Sequence, residues 1–276
     1  MSQWIAMAQQ VLAQVRASQP LIHLITNAVT RGEVANAVLT LGARPVMAHA
    51  AEEITDITPR ARALVLNLGT PSRERVEVMV LAAQQARAHG VPVLFDPVGV
   101  GISTFRRASA ARVLATGALT VVRGNADEIG VLAGMVDTMT GVDAQHADYE
   151  RAVVVPALAR AYRAVVVCTG ATDWVSDGAR GLVVENGHPA LRRFAGAGDM
   201  LDGVIAAAMA VTSDPLIAAM CGLVWLGIAA EEAARAVQVS PGGALMGLGS
   251  FRVKLLDALD RLTAEQIQQN ARIRLV

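Results

Sequence analysis

The sequence predicts an α/β fold with a mainly parallel central sheet and helices on both faces, on three observations. Short runs rich in valine, leucine and isoleucine recur: LIHLIT from Leu21, PVMAH from Pro45, ALVLNLG from Ala63, PVLFDP from Pro92, LTVVRGN from Leu119 and AVVVCTG from Ala164. Each has strand length and is apolar at consecutive positions, the pattern of a strand covered on both sides. Helical periodicity fills the gaps between them, and strands alternating with helices produce parallel sheets with right-handed crossovers.

The elements follow in order. Between the third and fourth runs, Val76, Met79, Val80 and Ala83 fall on one stripe of a helix spanning Ser72 to His89. After Gly170, two short strand-like pieces flank Asp177–Gly178, a dipeptide suited to a tight hairpin turn. The remainder reads as helical. The stretch Leu216 to Ala230, LIAAMCGLVWLGIAA, raises the question of a membrane, but it is shorter than the roughly 18 apolar residues that a span requires. It reads as a helix buried on nearly every side. No composition break divides the 276 residues, so they are expected to form one domain, 1–276.

Charge narrows the function. The 24 basic and 24 acidic residues balance and are spread along the chain, leaving no basic face for nucleic acid or anionic lipid. A small-molecule partner fits better. Cys168 and Cys221 lie in apolar runs without metal-ligand spacing, as reduced core cysteines do. The first residues lack the features of a signal peptide, so a cytoplasmic location is expected.

Ligands of open parallel sheets bind beyond the strand C-termini, which directs attention to Thr26, Asn27, His49, Asn67, Asp96, Arg123, Asn125 and Thr169. Farther along, AGAGDMLDGVIAAAMA from Ala195 runs a small-residue loop into a helix. The backbone N–H groups of Gly196, Ala197, Gly198 and Asp199 would point at an anion, with the helix dipole behind them. An ordinary helix cap would leave the same signature. Asp96, in DPVGVG, and Glu128, in RGNADE, put carboxylates on neighbouring strand ends where magnesium could be held. The second is equally a capping box from Asn125 to Glu128.

These segments resemble the hydroxyethylthiazole kinase family, within the ribokinase-like superfamily. The likeness runs through LIHLITNAV, PVMAHA, ALVLNLGT, VPVLFDPVGVG, VVRGNADEI, VVVCTG, DWVSDG, ENGHP and AGAGDML, in the family's order. It implies a ribokinase-like core, use of ATP and Mg2+, and a small alcohol substrate, the hydroxyethylthiazole of thiamine salvage. It also implies a homotrimer with active sites at subunit boundaries. Met47 and Asn27 match substrate-contacting residues, as does Gly196, which also belongs to the anion hole. Arg123 and Thr169 match ATP-binding residues, with Asn125 beside them. Asp96 and Glu128 match the magnesium-linked acids.

Two departures stand out. Where the family usually reads TGTGC, this chain reads Ala195-Gly196-Ala197-Gly198-Asp199, which removes two threonine hydroxyls and replaces a cysteine by an aspartate. At neutral pH an aspartate is ionised while a cysteine is mostly thiol, so Asp199 is expected to act as the catalytic base. Asp202 is a second extra acid, expected to point to solvent near the helix dipole rather than to press on Asp199. These changes, with Thr30 to Glu33, leave hydroxymethylpyrimidine as an alternative alcohol. A dehydratase that hydrolyses ATP and a binding module without phosphate transfer are the remaining rivals.

Overall fold

The computed structural model describes residues 2–135, 150–237 and 247–276. The chain opens with α1 (Ser2–Ser18), β1 (Leu21–Ile25), α2 (Arg31–Thr40), β2 (Arg44–Val46), α3 (Ala51–Ile57) and β3 (Ala63–Asn67). It continues through α4 (Arg73–Ala88), β4 (Val93–Asp96), α5 (Thr104–Leu114), β5 (Val121–Asn125), α6 (Ala126–Leu132), α7 (Arg151–Tyr162) and β6 (Val165–Thr169). The hairpin β7 (Asp173–Ser176) and β8 (Gly181–Val184) follows, then α8 (Ala197–Met209), α9 (Pro215–Val237), α10 (Leu248–Asp260), α11 (Ala264–Asn270) and β9 (Ile273–Leu275).

The strands form one sheet in the order β2-β1-β3-β4-β5-β6-β7-β8-β9. From β2 to β6 the pairing is parallel, and β7, β8 and β9 extend it antiparallel. Five of the six apolar runs contain a strand, β1, β3, β4, β5 and β6, and the run from Pro45 overlaps the end of β2, which starts one residue earlier at Arg44. The turn at Gly178, with φ +92°, closes the expected hairpin. The sequence reading missed β9. Ile273–Leu275 is only three residues long with two of them exposed, so it carries no buried alternation, and its place in the sheet comes from pairing with β8.

Alternation along the strands separates two cores. Ile22, Leu24, Val65, Leu94, Val121 and Val167 point to one face, where they pack with α1, α2, α8, α9 and α10. Leu64, Leu66, Val93 and Phe95 point to the other, beneath α4 and α5. Val122, Val166 and Cys168 continue that second face against α6 and α7. Both cysteines are buried, and neither forms a disulfide.

Helix α9 is long and apolar enough to cross a membrane, yet 83% of its most apolar stretch is buried inside the fold. Its approach to α8 depends on Gly222: a Cβ there would lie 3.0 Å from the Ile205 Cα and backbone nitrogen. Ser72 and Ser103 start α4 and α5 by accepting from the N–H groups of Arg75 (3.1 Å) and Arg106 (3.2 Å). Beyond β8, Asn186 donates to the Asn270 carbonyl (2.8 Å) and accepts from the Arg272 N–H (2.8 Å). That side chain fastens the end of the hairpin to the segment entering β9.

Candidate active site

Parallel strands β1, β3, β4, β5 and β6 deliver their C-terminal residues to one edge, and α8 starts above that edge. Between them opens a cleft of about 710 Å³ lined by Asn27, Thr30, Asp96, Arg123, Asn125, Glu128, Thr169 and the segment from Ala195 to Asp199. Every residue given a site role from the sequence except Met47 lines it, while Thr26, His49 and Asn67, noted only as polar strand ends, do not. Met47 lies just past β2, partly buried against the main core, and its carbonyl accepts from His49 Nδ1 (3.1 Å).

The start of α8 is shaped by its glycines. Gly196, the N-cap, has φ +103°, a left-handed conformation that favours glycine, and a Cβ there would come within 2.7 Å of the Thr30 methyl. At Gly198 a Cβ would collide with the Arg123 guanidinium, 3.0 Å from its Cζ and Nη1. Gly196 offers no side chain to cap α8, and none caps it among the described residues. Its first N–H groups and dipole are therefore presented as an anion site.

Asp199 is half-buried and held by a set of donors. Its Oδ2 accepts from Asn27 Nδ2 (2.8 Å) and from the Thr30 hydroxyl (2.6 Å), while Oδ1 accepts from Asn67 Nδ2 (2.9 Å). Asn27 Oδ1 in turn accepts from the backbone N–H groups of Val29 (3.0 Å) and Thr30 (3.2 Å), which fixes the turn after β1. Thr30 and Asn67 were not assigned a role from the sequence. Asn67 was visible only as a polar strand end, and Thr30 only as part of a segment that departs from the family pattern.

Asp96 is fully buried at the end of β4, with Arg123 Nη1 2.6 Å from its Oδ2. Burial raises the Asp96 carboxyl, against the lowering effect of Arg123. Burial works most strongly against the Arg123 charge, but the acids around it, Asp96 and Asp202 foremost and then Glu128 and Asp199, together hold the guanidinium cationic.

Asp202 corrects an expectation. It does not point to solvent but is 1% exposed, accepting from Asn67 Nδ2 (3.0 Å) and lying 3.7 Å from Arg123. Asp202 is on the inward face of α8, and the other residues from Met200 to Met209 are buried with it. Burial, reinforced by Asp96, pushes its carboxyl well above the usual range.

Glu128 forms the capping box anticipated for α6. Oε2 accepts from the Asn125 N–H (2.8 Å), Asn125 Oδ1 accepts from the Glu128 N–H (2.9 Å), and Oε1 takes the Gly99 N–H (2.8 Å) from the loop after β4. Burial raises this carboxyl to about 8, with Asp96 adding to the shift. Structural capping and a place in the cleft thus coincide in one residue. Thr169 donates its hydroxyl to the Gly124 carbonyl (3.2 Å).

A magnesium ion needs oxygen ligands, and usually keeps several waters around one or two carboxylates. Asp96 Oδ1 fits that demand, since it is buried at the cleft and has no hydrogen-bond partner among the described residues. Glu128 uses each oxygen for one backbone N–H, which leaves it able to accept from a metal-bound water.

In fold this is a ribokinase-like α/β protein. A ribokinase-like superfamily protein from Enterococcus faecalis V583 superposes with a TM-score of 0.60 at 12% identity, over 88% of this chain and 87% of that one, a likeness of fold alone. The family is closer at hand: the model of the hydroxyethylthiazole kinase family matches residues 12–265, and the chain belongs to that family. It is 43% identical over 262 residues to the hydroxyethylthiazole kinase of Desulforudis audaxviator (strain MP104C), covering 95% of this chain and 93% of that protein. A solved hydroxyethylthiazole kinase protein from Pyrococcus horikoshii OT3 matches with a TM-score of 0.87 at 38% identity, over 98% of both chains.

Proposed function

We infer that this chain transfers the γ-phosphoryl group of ATP to the hydroxyl of 4-methyl-5-(2-hydroxyethyl)thiazole, giving the monophosphate and ADP. The observation that carries this reading is the uncapped start of α8, opening into the cleft with the Asp199 carboxylate beside it. Family membership supplies the substrate class.

Phosphoryl transfer has a loose transition state, so catalysis is mostly positioning and charge stabilisation. The N–H groups at Ala197, Gly198 and Asp199 take the charge that develops on the transferring oxygens, and the helix dipole adds to them. Asp199 orients the alcohol and accepts its proton as the oxygen attacks phosphorus. Its Oδ2 is already engaged by Asn27 and Thr30, whereas Oδ1 has one donor, so Oδ1 has the lone pair to receive that proton. Arg123, Asn125 and Thr169 line the nucleotide side. Asp96 and Glu128 would hold magnesium, which supplies neutralisation of phosphate charge when bound.

Assembly belongs to the same proposal: a cytoplasmic homotrimer of one-domain subunits whose thiazole pockets lie at subunit boundaries. Two features support it. Met47 stands outside the cleft of its own chain, and Val29, 69% exposed, leaves apolar surface at the cleft wall beside Asn27 and Thr30. A coupled assay with ATP, magnesium and hydroxyethylthiazole, with mass detection of the product, tests the reaction. Absence of the thiazole monophosphate, or preferential phosphorylation of hydroxymethylpyrimidine, rejects it.

A further inference from the structure

Three carboxylates from two segments converge on the amide of one asparagine. Asn67 Nδ2 lies 3.0 Å from Asp96 Oδ2, 2.9 Å from Asp199 Oδ1 and 3.0 Å from Asp202 Oδ2. On its other side, Asn67 Oδ1 accepts from the Gly69 N–H (3.0 Å) and from Asn27 Nδ2 (3.3 Å). Donors on one side and acceptors on the other leave a single consistent orientation for the amide. Gly69 allows the close fit, since a Cβ there would lie 2.9 Å from Asn67 Oδ1 and 2.6 Å from the Asn27 Cβ.

Those acids are close enough together to suggest a metal centre, with ligand atoms within 4.8 Å of one another. Asn67 argues otherwise. It occupies one oxygen of each acid, Asp96 Oδ2, Asp199 Oδ1 and Asp202 Oδ2, so a cation could not use those three oxygens without displacing the amide. An amide nitrogen carries two hydrogens, so three acceptors compete for them.

We propose that Asn67 is a positioning residue for phosphoryl transfer, acting through Asp199: its amide holds Asp199 Oδ1 in line with the incoming hydroxyl while itself remaining out of reach of substrate. This rests on the reading of Asp199 as the base. Asn67 is fully buried and does not line the cleft, whereas Asp199 does. Asn27 and Thr30 grip the other carboxylate oxygen, so loss of Asn67 leaves Asp199 attached on one side and free to swing about it. A base displaced by about 1 Å costs on the order of 100-fold in rate.

The test compares wild type with Asn67→Ala, Asp202→Ala and the double variant. Asp202→Ala removes a buried acid, puts a good helix former into α8, and leaves Asn67 with Asp96 and Asp199 for its hydrogens. It is the control for folding, and in the double variant it removes an acid that Asn67→Ala would strand. Each protein is assayed for ADP and for thiazole monophosphate. Expected for Asn67→Ala, or for the double variant should the single one not fold, is a kcat lower by about 10-fold to 100-fold with KM for the thiazole within about threefold. Monophosphate formed per ADP also drops, because water competes with a poorly oriented alcohol. Unchanged kcat, or a loss confined to KM with product and ADP still matched, overturns the proposal. A wild type that makes no thiazole monophosphate sinks the functional reading instead.

Discussion

Replacing Asp199 by asparagine removes the proposed base while changing almost nothing in shape, and the structure fixes what else should follow. The carboxylate accepts on both oxygens, from Asn27 and Thr30 at Oδ2 and from Asn67 at Oδ1. An asparagine has one oxygen. Its best orientation turns that oxygen to the Asn27 and Thr30 pair and leaves its NH2 facing the NH2 of Asn67, donor against donor. An unmet buried donor costs about 1–3 kcal/mol. At about 2–4 °C per kcal/mol for a large domain, Tm should fall by about 2–12 °C, with the protein still folded at 25 °C. Loss of the proton acceptor removes about 10² to 10⁴ in kcat, equivalent to about 3–5 kcal/mol of transition-state stabilisation. Single-turnover formation of the monophosphate, read by mass, separates chemistry from binding. A variant that retains kcat within about threefold would make Asp199 no more than a favourable charge at a helix start, and the mechanism would fail.

Other outcomes follow from the same geometry. Gly198→Ala drives a methyl into the Arg123 guanidinium, which Asp96 holds in place, and should lower kcat/KM by about 100-fold as the start of α8 is displaced; steady-state kinetics check it. Gly222→Ala presses α9 against Ile205 and should cost about 1–3 kcal/mol in urea unfolding, with turnover of the folded enzyme unchanged. Burial raises the Asp173 carboxyl to about 7, so its contribution to stability is present at low pH and is lost as pH rises from the ordinary carboxylate range through 7. Asp173→Asn should therefore flatten the decline of Tm between about pH 4 and about pH 7, measured by calorimetry.

The centre of the sheet was legible because β1, β3, β4, β5 and β6 are buried on both faces and so appear as unbroken apolar runs. The same held for α9 and for the hairpin, whose turn residues announce themselves. β9 was not legible, since three residues with two exposed carry no periodic signal and only the β8 edge makes them a strand. At the site, individual residues could be read from their places at strand ends, but their partnerships could not. Asn67 meets its acids across 29, 132 and 135 positions of chain, and no local pattern encodes such distances. Asp202 was misjudged in a different way. It is the sole charge in a helical stretch otherwise apolar from Met200 to Met209, and giving that run more weight than its nearness to the helix start would have turned it inward.

Asn186 joins two regions that a molecular biologist would treat as separate. It lines the cleft, yet its side chain is bonded to Asn270 and Arg272 at the entrance to β9. A fusion partner or affinity tag grafted beside β9 would tug on Arg272, and the strain would reach the wall of the cleft through one asparagine. Altered kinetics in a tagged preparation would then report on the tether rather than on any substitution under study.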